Sequence, residues 1–168
     1  MRKRSWSLKH ERNIHTRDNK RFSVTIFGAI SNSLQGKLCY MLGTSTNASE
    51  YQAFLRLCKS KMVFGCEKAV MLYDGHRAHT TERSVGLCQR YFYPLKSVAH
   101  SSDFNSIETF WSLVKNNLQK LLLLHSHELT KAGFEALVRR SMQMVAPSVI
   151  SNIIRANQRY LNEVLAQV

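Results

Sequence analysis

Apolar positions fall along this chain first in short blocks and later at helical spacing. Residues 22–30, FSVTIFGAI, are rich in β-branched and aromatic side chains and predict a strand. Asn32 to Gly36 supplies turn residues, and KLCYML at 37–42 predicts a second strand, so the pair reads as an antiparallel hairpin. Tyr51, Phe54, Leu55 and Cys58 recur at three- and four-residue steps, which predicts a helix over roughly 50–61 with Thr46 or Ser49 as its cap. AVMLY at 69–73 is uninterruptedly apolar, the pattern of a strand buried on both faces, and Asp74-Gly75 ends it. Thr80 or Thr81 opens a helix to about Arg90. YFYPL at 91–95 then predicts an edge strand, because Pro94 has no N–H to donate.

From Asp103 the pattern turns helical almost to the end. Ile107, Trp111, Val114, Leu118 and Leu121 step by 4, 3, 4 and 3. A further helix is predicted from about Glu128 to Val145, and Pro147 suits the first turn of another. Residues 1–21 carry eight Lys/Arg, two acids and no apolar period, and read as a basic loop or arm. There is no internal repeat and no linker. The order predicts an α/β domain over 22–168, a mixed sheet flanked by helices. In such sheets the default site lies just past the carboxyl end of a strand, where Asp74 stands.

Composition adds a partner. The chain has 168 residues, enough for one domain, and is 44% hydrophobic with two prolines, which excludes collagen and a wholly disordered chain. Twenty-four Lys and Arg against 11 acids leave a formal charge of +13. Such an excess favours a polyanion, nucleic acid before an anionic membrane surface. Cys39, Cys58, Cys66 and Cys88 form no CxxC pair and read as free thiols in a reducing compartment. No apolar run reaches the ~20 residues of a membrane span, and no apolar stretch follows the basic N-terminus as in a secretory signal. The expected location is the nucleus of a eukaryote, with Arg2, Lys3 and Arg4 as a short basic address, or otherwise the cytoplasm.

With only three aspartates, Asp18, Asp74 and Asp103, each acid is informative. Asp74 ends a strand and Glu108 lies in the first turn of the long helix, with 33 residues between them. Phosphodiester cleavage needs a water to lose a proton and a leaving oxygen to bear charge. Two divalent cations about 3.5–4 Å apart serve both needs, and hard Mg²⁺ takes carboxylate oxygen. Structural roles compete. Asp-Gly is a common turn pair, and Asn105-Ser-Ile-Glu108 fits a capping box with Glu108 as the reciprocal cap. His76 and His79 are spaced like metal ligands, but no third partner follows at zinc spacing. His125 and His127 read as solvated.

The segment VMLYDGHRAH…FYPLKSVAHSSDFNSIETFWSLVKNNLQ resembles the second half of a mariner-like transposase catalytic domain, of the DDE endonuclease superfamily. That family has a strand ending in Asp-Asn-x-x-x-His, matched here by Asp74 to His79. It then has Tyr-Ser-Pro-Asp-Leu-Asn-Pro-Ile-Glu-x-x-Trp, matched by His100 to Glu108 and Trp111. RSWSLKHERN and RFSVTIFGAIS resemble the family's opening loop and strand, and IIRANQRYLNEVLAQ its last helix. The resemblance implies an RNase H-like fold, Mg²⁺ or Mn²⁺ in a two-metal site, and Asp74 and Glu108 as its second and third metal-binding carboxylates. It further implies DNA as partner, transposon ends in the intact family, and a homodimer. Arg2, Lys3, Arg4, Arg77, His79 and Lys115 are the candidate DNA contacts.

The departures set further expectations. The family's Asn after the aspartate is Gly75, its two prolines are Ser102 and Ser106, and its tyrosine is His100. The family's first strand, with its first catalytic Asp, and its helix-turn-helix region have no counterpart here. Glu11 and Asp18 lie in the basic arm and do not replace that residue. The expected protein is a truncated or degenerate endonuclease domain. The alternative is a non-catalytic nucleic-acid-binding remnant or host-recruited DNA-binding module. Strand edges left without a partner would make the chain prone to aggregate.

Overall fold

The computed structural model describes residues 22–32, 36–62, 68–97, 105–125 and 129–166. Ten elements run in the order β1 (Thr25–Ser31), β2 (Lys37–Gly43), α1 (Ala48–Met62), β3 (Val70–Tyr73), α2 (Arg77–Thr80), α3 (Glu82–Tyr91), β4 (Tyr93–Lys96), α4 (Ser106–Leu124), α5 (Lys131–Gln143) and α6 (Pro147–Leu165). The predicted basic arm at 1–21 lies outside the described residues, as do Cys66, Asp103 and His127.

The hairpin forms as expected. β1 and β2 are antiparallel with Phe27 opposite Met41 and Ala29 opposite Cys39. Gly36, at φ +97°, takes a left-handed conformation at the hairpin's return, which a β-carbon would strain. Side chains alternate across a pleat, so the two faces separate by parity. Phe27, Ala29, Cys39 and Met41 join a core with Tyr51, Phe54, Leu55 and Cys58 of α1 and Cys88 of α3. Ile26, Ile30, Leu38, Tyr40 and Leu42 join a second core with Phe110 and Val114 of α4, Val138 and Met142 of α5 and Ile150 of α6. The hairpin is thus apolar on both faces and sits between two helical layers.

The helix ends follow local chemistry. Asn47, rather than Thr46 or Ser49, caps α1: its Oδ1 accepts from the Glu50 N–H at 2.8 Å. The Glu50 carboxylate in turn accepts from the Thr44 N–H and hydroxyl and from the Ser45 N–H, which ties the end of β2 to the start of α1. Thr81 caps α3 by accepting from the Ser84 N–H, and Pro147 stands in the first turn of α6. α5 begins at Lys131 with Thr130 as cap, later than Glu128.

Two expectations about the sheet need correction. β3 is not buried on both faces, since Val70 is 67% and Leu72 38% exposed. Val70 and Leu72 share one face of β3, and it is Met71, on the opposite face, that packs against a core. β3 pairs with β4, in parallel, and β1 with β2, so the described strands form two two-stranded sheets. Tyr91 belongs to α3 rather than to the edge strand, because the Phe92 N–H still bonds back to Cys88 O at 2.7 Å. The long helix is also rotated from its expected centre. Phe110 is fully buried while Trp111 is half-buried, because α4 packs on α5 through one side and on β1 through the next.

Candidate active site

Between the two sheets lies a cleft of about 540 Å³. Seven consecutive residues line it from one side, Ile26 through Asn32, and six from the other, Ala69 through Asp74. Only alternate residues could line it if a strand presented a face. Consecutive ones mean that β1 and β3 turn their free edges toward the same space. Phe54 and Tyr51 of α1, Ile107 and Trp111 of α4, and Leu161 of α6 close the cleft with apolar surface. Such a volume, mostly apolar with a few convergent polar groups, is typical of a binding site.

Asp74 and Glu108 both line this cleft, together with His79. Asp74 follows the last residue of β3, and its side chain is 54% exposed. Its Oδ1 accepts from the His76 N–H at 3.0 Å, an Asx turn that shapes the way into α2. The turn role and an accessible carboxylate therefore coexist. His79, on α2, brings Nδ1 to 2.6 Å from the same Oδ1, a contact close in distance but off the hydrogen-bonding axis, so Nδ1 is left without an aligned partner. The Tyr51 ring stacks 4.1 Å from the imidazole and the Tyr73 ring meets it edge-on. Burial lowers the His79 pKa below the ordinary histidine value, and the Asp74 carboxylate opposes part of that shift. The buried Tyr51 phenol is held protonated, far above its usual range, chiefly by desolvation.

Glu108 resolves differently from its capping-box reading. Asn105 does cap α4, but its side chain accepts from the Ile107 N–H at 3.4 Å, and the Glu108 N–H bonds to the Asn105 backbone oxygen. The exposed Glu108 carboxylate accepts no hydrogen bond among the described residues, and so remains available to the cleft. Trp111, one turn on, lies against β1 at Gly28, where a β-carbon would stand 2.5 Å from the ring. That approach fixes the start of α4 over the hairpin.

The remaining candidates divide. Arg77 is exposed on α2 beside Asp74, and Lys115 is exposed on α4 seven residues after Glu108, on the same helical face. Neither lines the cleft itself. Arg2, Lys3 and Arg4 lie outside the described residues. His76 does not act as a ligand beside His79: its Nδ1 accepts from the Ala78 N–H and caps α2. Asn157 and Gln158 of α6 also line the cleft and were not anticipated; their only signal is polar placement in an otherwise apolar-faced helix.

The donor set suits a hard divalent cation. Two accessible carboxylates offer oxygen, and Mg²⁺ accepts one or two carboxylates with water and substrate phosphates filling the rest. No group of three His, Cys, Asp or Glu positioned to hold a metal occurs among the described residues. Among the described residues no helix is long and apolar enough to cross a membrane.

Comparison with known proteins agrees with this architecture. A search of curated proteins finds no match. A chain in the cryo-EM structure of simian T-cell lymphotropic virus intasome in complex with PP2A regulatory subunit B56 gamma is similar in fold, with TM-score 0.57 at 10% identity. The likeness covers 71% of this chain and 42% of that one, so this protein spans less than half of it. The fold is mixed α/β and RNase H-like. The family model described as DDE superfamily endonuclease matches residues 1–131, more than three quarters of the sequence and the whole stretch from the hairpin to Glu108. With that match, and with its two carboxylates in one cleft, the chain belongs to the DDE superfamily endonucleases.

Proposed function

We propose that this chain is the DNA-processing domain of a mariner-like transposase, with Asp74 and Glu108 as its metal-binding carboxylates. The observation that carries the reading is their convergence: two acids from different elements, packed on different cores, reach one cleft with oxygens to spare. DDE superfamily endonucleases generally use divalent metals and act on DNA. Mg²⁺ or Mn²⁺ held by Asp74 and Glu108 would stabilise charge building on the phosphodiester oxygens and ease deprotonation of the attacking water. Asp74 Oδ1 accepts from the His76 N–H and lies 2.6 Å from His79 Nδ1, so Oδ2 would be the oxygen offered to a metal. His79, neutral near pH 7, steadies that carboxylate without cancelling its charge. Arg77 and Lys115, exposed and near Asp74 and Glu108 in the chain, would hold the DNA phosphates together with the basic residues Arg2, Lys3 and Arg4.

Two carboxylates make a weak two-metal site. With only these two carboxylates at the site the chain is expected to cut DNA slowly. Transposon ends as substrate, homodimerisation and a nuclear location belong to the same reading. A non-catalytic DNA-binding role is the second reading, favoured by the missing third ligand among the described residues together with the charge of +13. Calorimetric titration with Mn²⁺ and a plasmid-nicking assay separate the two. Weak Mn²⁺ binding and trace metal-dependent nicking, both lost in Asp74→Asn and in Glu108→Gln, support the endonuclease. Mn²⁺ binding indifferent to both substitutions overturns it, and DNA binding with no nicking at any metal concentration favours the second reading.

A further inference from the structure

A second concave surface lies away from the cleft. It is an open groove of about 270 Å³ between α1 and α3, lined by Gln52, Arg56, Arg83, Gly86, Leu87 and Arg90. It shares no residue with the cleft. On α1, Tyr51 and Phe54 line the cleft while Gln52 and Arg56 line the groove, so the helix stands between the two. Two residues along a helix is a rotation of about 200°, which puts Phe54 and Arg56 on opposite sides.

The groove is built as two stripes. Gln52 and Arg56 are four apart on α1, and Arg83, Leu87 and Arg90 step by four and three on α3, so each set shares one face. All three arginines are exposed. None of the three forms an ion pair with a carboxylate within 4.0 Å among the described residues. Gly86 sits between Arg83 and Arg90 with nothing within 4 Å of where its β-carbon would be. A side chain there would suit the helix better than glycine and would fill the groove floor. The floor of the groove is open at Gly86, on the helix that carries Arg83 and Arg90.

We propose that this groove is a second nucleic-acid contact, binding successive phosphates of a DNA duplex independently of the Asp74–Glu108 cleft. Guanidinium is a planar fork matched to phosphate oxygens and weakly hydrated. Seven residues of helix separate Arg83 from Arg90, roughly 10 Å, enough for the two guanidiniums to reach different phosphates of one duplex. An open groove with three exposed arginines on two helices matches a phosphate backbone rather than a single small anion. The site needs no cleavage chemistry, so it stands whether or not the cleft is active.

Fluorescence anisotropy of the full chain with a labelled 20-base-pair duplex of arbitrary sequence, over a series of salt concentrations, tests this. Each neutralised phosphate contributes about 0.9 to the slope of log K against log salt. The triple variant Arg56→Gln/Arg83→Gln/Arg90→Gln should lower that slope by about 2 to 3 and weaken binding at least tenfold at low salt. Gly86→Glu, which places a carboxylate beside the arginines, should do the same with a thermal melt no lower than that of the wild type. Asp74→Asn should leave the groove's share of the slope intact. A slope unchanged in both groove variants while the wild type binds DNA overturns the groove and leaves the proposed endonuclease standing. So does a loss fully reproduced by competition with millimolar inorganic phosphate, which would indicate a small-anion site.

Discussion

Trp111 rests on Gly28: the indole edge occupies the place where any other residue in β1 would put its β-carbon. Because Trp111 follows Glu108 by one helical turn, this contact also sets the height of Glu108 over the hairpin. Gly28→Ala should overpack this junction at a cost of about 1–3 kcal/mol. A smaller partner, Trp111→Leu, should recover part of that loss in a double-mutant cycle. Denaturant midpoints of the four proteins measure it, and additive losses would show that the ring simply moves aside.

The free Glu108 carboxylate and the capping Asn105 separate function from stability. Glu108→Gln should leave the midpoint within about 0.5 kcal/mol of wild type, as expected for an exposed group without partners. Asn105→Ala removes the acceptor for the Ile107 N–H and should cost about 1 kcal/mol. Equal destabilisation by both would restore the capping box.

His79 gives the fold a pH dependence. Its folded pKa lies below the ordinary histidine value because burial penalises the imidazolium. The unfolded chain therefore takes up a proton first as the solution is acidified. The contribution is fully present above the unfolded histidine pKa, near 6.5, and is lost as pH falls from there toward the lower folded value. Melting temperatures from pH 7.5 to 5 should fall more steeply in wild type than in His79→Gln. Asp74→Asn removes the charge that opposes the shift, so the histidine's folded pKa should drop further by NMR titration.

Gly86 offers the reverse case. With open space around it in the middle of α3, Gly86→Ala should raise stability by about 1 kcal/mol. A loss of stability would mean that the groove floor is tighter in solution.

β3 has an edge without a ladder partner among the described strands and carries an exposed Val70. Exposed apolar edge strands template association, and a lysine blunts them. Val70→Lys should slow aggregation, read by light scattering on storage, at a stability change within about 0.5 kcal/mol.

Much of this was legible in the residues. The hairpin, a threonine cap at the start of α3 and the proline start of α6 follow from turn chemistry and caps, and the resemblance to the family singled out Asp74 and Glu108, which line one cleft. What escaped depends on partners far away in the chain. AVMLY reads as a doubly buried strand because its composition is that of one, yet burial of both faces requires an element packed over each, which the sequence pattern cannot supply. Phe110 and Trp111 are adjacent and both large. Which of them is buried depends on whether α4 leans toward α5 or β1. The arginine groove joins Arg56 to Arg83 and Arg90 only because α1 and α3 pack side by side.

The interrupted sheet has a dynamic consequence. No hydrogen-bonded ladder among the described strands ties β3 to the hairpin, so β3, β4 and α2 are held mainly by side-chain packing around α1 and α3. Segments anchored that way open at lower free energy than those in a continuous ladder. Amide exchange should accordingly be faster in β3 than in β1 or α4, and each opening of β3 would carry Asp74 off while Glu108 stays in place. The two carboxylates would then be together only for the fraction of time that this half is closed, and a bound cation would slow exchange across β3 by holding it shut.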